Sequence, residues 1–255
     1  MRIVFFGNGP VALNSLRWLK DQGAEIAGLV TLDPSSWQNG EELIAASELP
    51  ADRLFTGRAL REPATVRAIA EIGAEVGLSV LFSHILRPPL LAAFPQGVLN
   101  VHPSYLPFNR GRSAQVWGIV EGTTVGASLH YMDEGVDTGP IVHRVPVAID
   151  PADTGQSLRA KLNEACGQVL REAWPGVAAG TVRAMPQAPD EGTSHRIADL
   201  ETIRRIDLNR TYTGRELIDL LRALTSPPQS DGAYFDVDGR RIRVTVRLED
   251  ESDAG

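Results

Sequence analysis

Cysteine is almost absent from this 255-residue chain: a single Cys166 excludes an internal disulfide and a multi-cysteine metal site, and it fits a reducing compartment and a place in the core. Long apolar runs are missing as well. The stretch 76–82, broken by Ser79, falls far short of the roughly 18 residues that a membrane span needs. The N-terminus starts on a strand, with no apolar stretch of signal-peptide length and no small-residue cleavage site, so the expectation is a cytoplasmic protein with no membrane partner. Lysine is scarce: Lys20 and Lys161 are the only two, and arginine supplies the other cations. Positive charge is the minority sign, 25 basic against 32 acidic residues, and the formal charge of -7 opposes a nucleic-acid partner. What remains, 43% hydrophobic and 22% charged, closes a large core and is too mixed for a disordered or fibrous chain.

Residues 2–6 are apolar and β-rich, and Gly7-Asn8-Gly9-Pro10 turns the chain into a helical spacing of Val11, Leu13, Leu16 and Leu19 that ends before Gly23. A strand over 25–31 follows, then a polar, weakly periodic connection over 32–52. Residues 61–72 read as a helix, 76–82 as a buried strand and 97–102 as another. A loop rich in Pro, Gly and Asn spans 103–111, a helix follows near 113–120, and strands over 125–132 and 140–149 flank the loop 133–139. Asp153 with Gln156 resembles a capping box that opens a helix to about Trp174. Strands alternating with helices predict an α/β fold with an open, mostly parallel sheet. The last fifth differs. Residues 186–210 are polar and connecting, Thr213 and Glu216 match a capping box, and a short helix runs to Leu224, stopped by Pro227 and Pro228. Strands over 233–237 and 240–248 flank Asp238-Gly239, a strong hairpin signal. The expected division is a catalytic domain over 1–185, a linker, helix and hairpin over 186–248, and a disordered acidic tail over 249–255.

Two constellations compete to carry chemistry. Gly7-x-Gly9-x-x-Ala12, with Asp33 after the second strand, fits a dinucleotide fingerprint in outline and would make the chain an oxidoreductase. Pro10 removes an N–H where phosphate would be cradled, and a tight strand-to-helix turn explains the same residues. The second is Asn100-Val101-His102-Pro103 with Asp137-Thr138-Gly139. Residues two apart on a strand share a face, so Asn100 and His102 enter one crevice at the sheet's ligand-binding edge. Imidazole exchanges protons near neutral pH, a carboxamide donates to a developing oxyanion, and Asp137, if near, orients the imidazole. Trp117 reads as helix core, and His130, His143 and His195 as strand or surface histidines without chemistry.

The stretch from Asn100 through Arg112 and the run Gly126-Ala127-Ser128-Leu129-His130-Tyr131-Met132-Asp133-Glu134-Gly135-Val136-Asp137-Thr138-Gly139 resemble the folate-dependent formyltransferase superfamily over residues 1–185. That resemblance implies an open, mostly parallel Rossmann-like sheet with a small C-terminal helix and β-hairpin appendage. It implies transfer of a formyl group from 10-formyltetrahydrofolate to a primary amine, without a metal. Asn100 would serve the oxyanion, His102 the proton, and Asp137 would hold His102. Ser83, His84, Ile85, Leu86 and Arg87, with Met132, Asp133 and Gly135, correspond to the loops that meet the pterin. The expected acceptor contacts are Gly7, Asn8, Gly9, Ser104, Phe108, Asn109, Arg110, Arg112 and Gln115, with the arginines suited to a diphosphate.

Within the superfamily, the first loop lacks the serine of the glycinamide-ribonucleotide branch. The formyltetrahydrofolate hydrolases carry a domain in front of the first strand. Residues 34–52 hold no Lys or Arg, and only one hairpin follows residue 232, against the basic loop and full barrel of the methionyl-tRNA branch. The expectation is therefore a nucleotide-linked amino-sugar N-formyltransferase. Methionyl-tRNA, an amino acid of the hydroxyornithine type, and hydrolysis of the donor stay open as alternatives. The exposed hairpin edge suggests a homodimer.

Overall fold

The structure is a computed structural model that describes residues 1–188, 190–226 and 232–250. Its first half alternates β1 (Arg2–Gly7), α1 (Gly9–Asp21), β2 (Glu25–Thr31), α2 (Gly40–Ser47), β3 (Leu54–Thr56), α3 (Pro63–Glu71), β4 (Val76–Val80), α4 (Pro88–Leu91) and β5 (Val98–His102). The second half runs β6 (Arg110–Gly111), α5 (Ala114–Glu121), β7 (Val125–Tyr131), β8 (Ile141–Val147), α6 (Gly155–Ala178), β9 (Ser194–His195), α7 (Ile197–Arg204), α8 (Gly214–Ala223), β10 (Ala233–Val237) and β11 (Arg240–Val244). Seven strands form one sheet in the order β3-β2-β1-β4-β5-β7-β8, parallel as far as β5 and antiparallel at β7 and β8.

Period-two alternation sorts the apolar residues onto both faces, as a doubly covered sheet requires. Ile3 and Phe5 pack with Leu13 and Leu16 of α1 and with Val169 and Leu170 of α6. Val4 and Phe6 pack on the other side with Ile69, Leu90 and Phe94. Cys166 is fully buried within the first of these cores, and burial pushes its thiol up to about 12. A third core joins Val116 and Ile119 of α5 to Leu158 and Leu162 of α6, Ala223 of α8 and Ala233 of β10. Arg222 secures that junction: almost buried, it meets Asp219 at 2.7 Å and donates to the Asp153 carbonyl at 2.8 Å and the Asp150 carbonyl at 3.2 Å.

Several boundaries differ from the sequence expectation. Thr154 caps α6, in a reciprocal box with Ser157, while Asp153 binds Lys161 at 2.7 Å and the Asp150 amide at 2.7 Å. The stretch read as polar connection contains α2, with acidic Glu41 and Glu42 in its first turn, and α7 interrupts 186–210. The turn at Asp238-Gly239 has two positive φ values, 50° and 72°, but β11 ends at Val244, short of 248. Helix α8 ends at Ala223; Pro227 and Pro228, like residues 251–255 of the expected tail, lie outside the described residues.

Candidate active site

Strand alternation places Val98, Asn100 and His102 on one face of β5 and Leu99 and Val101 on the other, in the apolar core. Parallel pairing sets Ser79 beside Asn100, and antiparallel pairing sets Asn100 opposite His130. Three polar side chains thus form a row across β4, β5 and β7. Ser79 Oγ donates to Asn100 Oδ1 at 2.8 Å, and Asn100 Nδ2 lies 3.2 Å from His130 Nε2. His130 Nδ1 donates to the Tyr131 carbonyl at 2.8 Å, which leaves Nε2 to accept from Asn100. The carboxamide is therefore oriented at both ends, and its nitrogen keeps a second N–H.

Because β7 runs antiparallel to β5, Tyr131 lies opposite Leu99, far from the end of β5. The loop after β7 folds back, and Asp137, at φ 55°, returns to His102. Asp137 Oδ2 stands 3.4 Å from His102 Nε2, and Oδ1 stands 3.6 Å from His130 Nε2. The Gly111 amide donates to Asp137 Oδ2 at 2.9 Å. His102 Nε2 is buried and makes no hydrogen bond among the described residues, so the ring's hydrogen bond to the Asn109 backbone comes from Nδ1. Nε2 then carries the lone pair of a neutral imidazole.

The electrostatics separate the two partners. Burial lowers the His102 pKa below 6.5; the Asp137 carboxylate opposes that shift, while His130 and Arg112 add to it. Burial alone would raise Asp137, but the imidazolium forms of His102 and His130, which attract the carboxylate as the rings protonate, and the Gly111 amide outweigh it and hold the carboxyl below the usual carboxylate range. The pair consists of a neutral base beside a permanent anion.

The structure brings Asn100, His102 and Asp137 together and relocates other expectations. His130, expected to have no chemistry, touches both Asn100 and Asp137. Asn109 is fully buried with its Nδ2 given to Thr123 Oγ1 at 2.9 Å, so it supports the loop; Ser104 is also fully buried, and its carbonyl accepts from Ser128 Oγ at 2.7 Å. Arg110 is committed to Gln187 Oε1, with Nε at 3.1 Å and Nη2 at 2.9 Å. Arg112 is exposed, Phe108 is half-buried, and Gln115 is buried on α5. In the first loop the Gly9 amide donates to the Gln38 carbonyl at 2.7 Å and Asn8 Oδ1 accepts from the Gln38 amide at 2.9 Å. Those bonds use the Gly9 donor that a dinucleotide phosphate would need. Asp33 faces His84 at 3.9 Å. Trp117 is core, stacked on His195 with ring centroids 4.0 Å apart. In the two loops expected to meet the pterin, Leu86 is buried and Ile85 is 78% exposed, and Asp133 Oδ1 accepts from the Gly135 amide and from Thr138. Ser79, His130 and Gln187 are the residues that the sequence reading missed; the one local signal was a serine interrupting an apolar strand.

Among known proteins, residues 1–174 match the family model described as formyl transferase, and residues 199–250 match the model of an N-formyltransferase dimerization C-terminal domain. The chain is 33% identical over 265 residues to a methionyl-tRNA formyltransferase of Sorangium cellulosum, covering 100% of this chain and 82% of that protein. It is 35% identical over 188 residues to a dTDP-4-amino-4,6-dideoxyglucose formyltransferase of Mycobacterium tuberculosis, covering 73% of this chain and 79% of that protein. A sugar N-formyltransferase from a Shewanella species shares the fold with a TM-score of 0.82, at 21% identity and 98% coverage of both chains.

Proposed function

The chain belongs to the formyl transferase family and is a formyl-transferring enzyme, and from that premise we propose that it carries the formyl group of 10-formyltetrahydrofolate to the primary amine of a nucleotide-linked amino sugar. The observation that carries the chemistry is the buried, unbonded His102 Nε2 at 3.4 Å from Asp137, beside an Asn100 carboxamide fixed at both ends. The neutral amine attacks the formyl carbon. The oxygen gains negative charge and accepts from the remaining N–H of Asn100 Nδ2. His102 Nε2 takes the ammonium proton, and Asp137 stabilises the imidazolium that results. The tetrahedral centre then collapses by breaking its bond to the donor nitrogen, which takes up the proton, leaving a formamide and tetrahydrofolate.

The donor is consumed as a substrate. Main chain of Ser83, His84, Ile85, Leu86 and Arg87 and of Met132, Asp133 and Gly135 would receive its ring, a role that the exposed apolar Ile85 suits better than contact with water. Exposed Arg112 would take the acceptor's diphosphate, whereas Arg110 reaches it only by leaving Gln187. The sugar acceptor is supported by the 35% identity to the dTDP-amino-sugar enzyme and by the absence of Lys and Arg from residues 34–52. A second reading, methionyl-tRNA as acceptor, is favoured by the alignment of the whole of this chain to 82% of the Sorangium protein. The match over 199–250 supports a homodimer built through the C-terminal segment, and the single cysteine fits work in the cytoplasm.

Release of tetrahydrofolate from 10-formyltetrahydrofolate, measured alone, with a panel of nucleotide-linked amino sugars and with methionyl-tRNA, separates the readings. Release that depends on an amino sugar supports the proposal. Dependence on the tRNA moves the assignment to the second reading, and equal release without any amine makes the protein a hydrolase. His102→Ala or Asn100→Ala should lower turnover about a hundredfold or more with the circular dichroism spectrum unchanged. A loss under fivefold removes the assigned role.

A further inference from the structure

Residues 175–198 lie between the two matched regions and have no assigned part in the chemistry. Yet the described residues of this stretch grip the site from two sides. Gln187 Nε2 donates to the Asp137 carbonyl at 2.8 Å and to the Gly139 carbonyl at 2.7 Å, while its Oε1 accepts from Arg110. One carboxamide thereby uses both N–H groups on the loop that carries Asp137 and its oxygen on the loop that follows His102. Further along, the Thr193 carbonyl accepts from the Arg110 amide at 2.9 Å, Thr193 Oγ1 accepts from the Asn109 amide at 2.8 Å, and the His195 carbonyl accepts from the Arg112 amide at 3.0 Å. These bonds bracket Gly111, whose own amide is left to point at Asp137 Oδ2. The contact is backbone against backbone: a Cβ on Gly111 would lie 2.3 Å from the His195 carbonyl oxygen, and one on Gly192 would lie 1.9 Å from the Pro107 carbonyl oxygen.

Asp137 needs such a grip. Its φ of 55° places a non-glycine residue in the left-handed region, a conformation that persists where its surroundings fix it. We propose that Gln187 is a positioning residue for Asp137: by tying the carbonyls of Asp137 and Gly139 it keeps the carboxylate turned toward His102, which makes the segment between the two matched regions part of the active site. The assignment rests on Asp137 serving His102 in formyl transfer.

Gln187→Met removes both N–H groups, along with the oxygen that Arg110 uses, without adding charge, whereas Gln187→Glu would set an anion beside the Asp137 loop; the neutral variant therefore tests the grip. Its kcat should fall about tenfold, the scale expected when a catalytic group is displaced by a fraction of an ångström, with KM for donor and acceptor changed less than about twofold. In an Asp137→Asn background the same substitution should alter the residual rate less than about twofold, because a group that acts through Asp137 has nothing left to position. A kcat loss under fivefold, or an equal loss in the Asp137→Asn background, overturns the proposal. A readout without turnover separates this assignment from the choice of substrate. His102 faces Asp137, His130 and Arg112, and its imidazole titration, followed by NMR in Gln187→Ala, should move to lower pH as the carboxylate withdraws. An unmoved midpoint with an intact fold overturns the proposal even if no acceptor is ever found.

Discussion

His102 owes its suitability as a base to two opposed influences. Burial disfavours the imidazolium, and the Asp137 carboxylate at 3.4 Å favours it, with burial the larger. The sign for activity follows: the lone pair is available above the folded pKa and is lost as pH falls through it. The acid limb of kcat/KM should therefore have its midpoint below pH 6.5, with Asp137 ionised throughout the range. A pH–rate profile whose acid midpoint sits at or above 6.5 would contradict the dominance of burial. Stability carries the same sign for this residue, being full above the unfolded value of 6.5 and declining as pH falls through the folded one. At this scale the sequence was legible where chemistry is local. Asn100 and His102 share a face because they are two apart, and a period of two requires nothing else. Ser79, His130 and Gln187 reach the site over 21, 30 and 50 residues, through strand pairing and loop packing that no local pattern encodes.

Elements were readable in proportion to how strongly their own periodicity committed them. The strand–helix alternation from β1 to β5 and the paired positive-φ turn at Asp238-Gly239 follow from local pattern. Helix α2 has a weak local signal because it buries mainly Gly40, Leu43 and Ser47 against α1, a narrow apolar stripe, and alternation alone carries β11 past Val244 because it does not say where a partner strand stops. The cap of α6 is of the same kind: Asp153 has the residue type and spacing of a cap, but its carboxylate is taken by Lys161, Ser157 and the Asp150 amide. Arg222 gives a test at this scale. Removing its guanidinium strips the partners from Asp219 and from two carbonyls at the start of α6, so Arg222→Ala should cost about 3 kcal/mol in urea unfolding. A cost within about 0.5 kcal/mol would mean that the third core holds α8 without it.

For the whole molecule, the sequence indicated the α/β class and the family resemblance, while the third core, which fuses α8 and β10 to α5 and α6, appears only in three dimensions. The C-terminal segment is thus packed into the molecule on one side and leaves Ile218 and Val237 about half exposed, 51% and 42%, on others. The proposed dimer predicts a light-scattering mass of twice 27.6 kDa at micromolar concentration. A mass of 27.6 kDa would return those apolar residues to solvent and remove the dimer from the proposal.

The lone Cys166 gives this protein a built-in clock for its own opening. Fully buried between sheet and α6, with its thiol pushed up to about 12, it offers a disulfide reagent no reactive thiolate until the core separates. Labelling in native buffer should run orders of magnitude slower than in urea, and single-site modification of the unaltered protein then times core exposure. Rapid labelling of the folded protein would show that α6 lifts from the sheet far more often than complete packing allows.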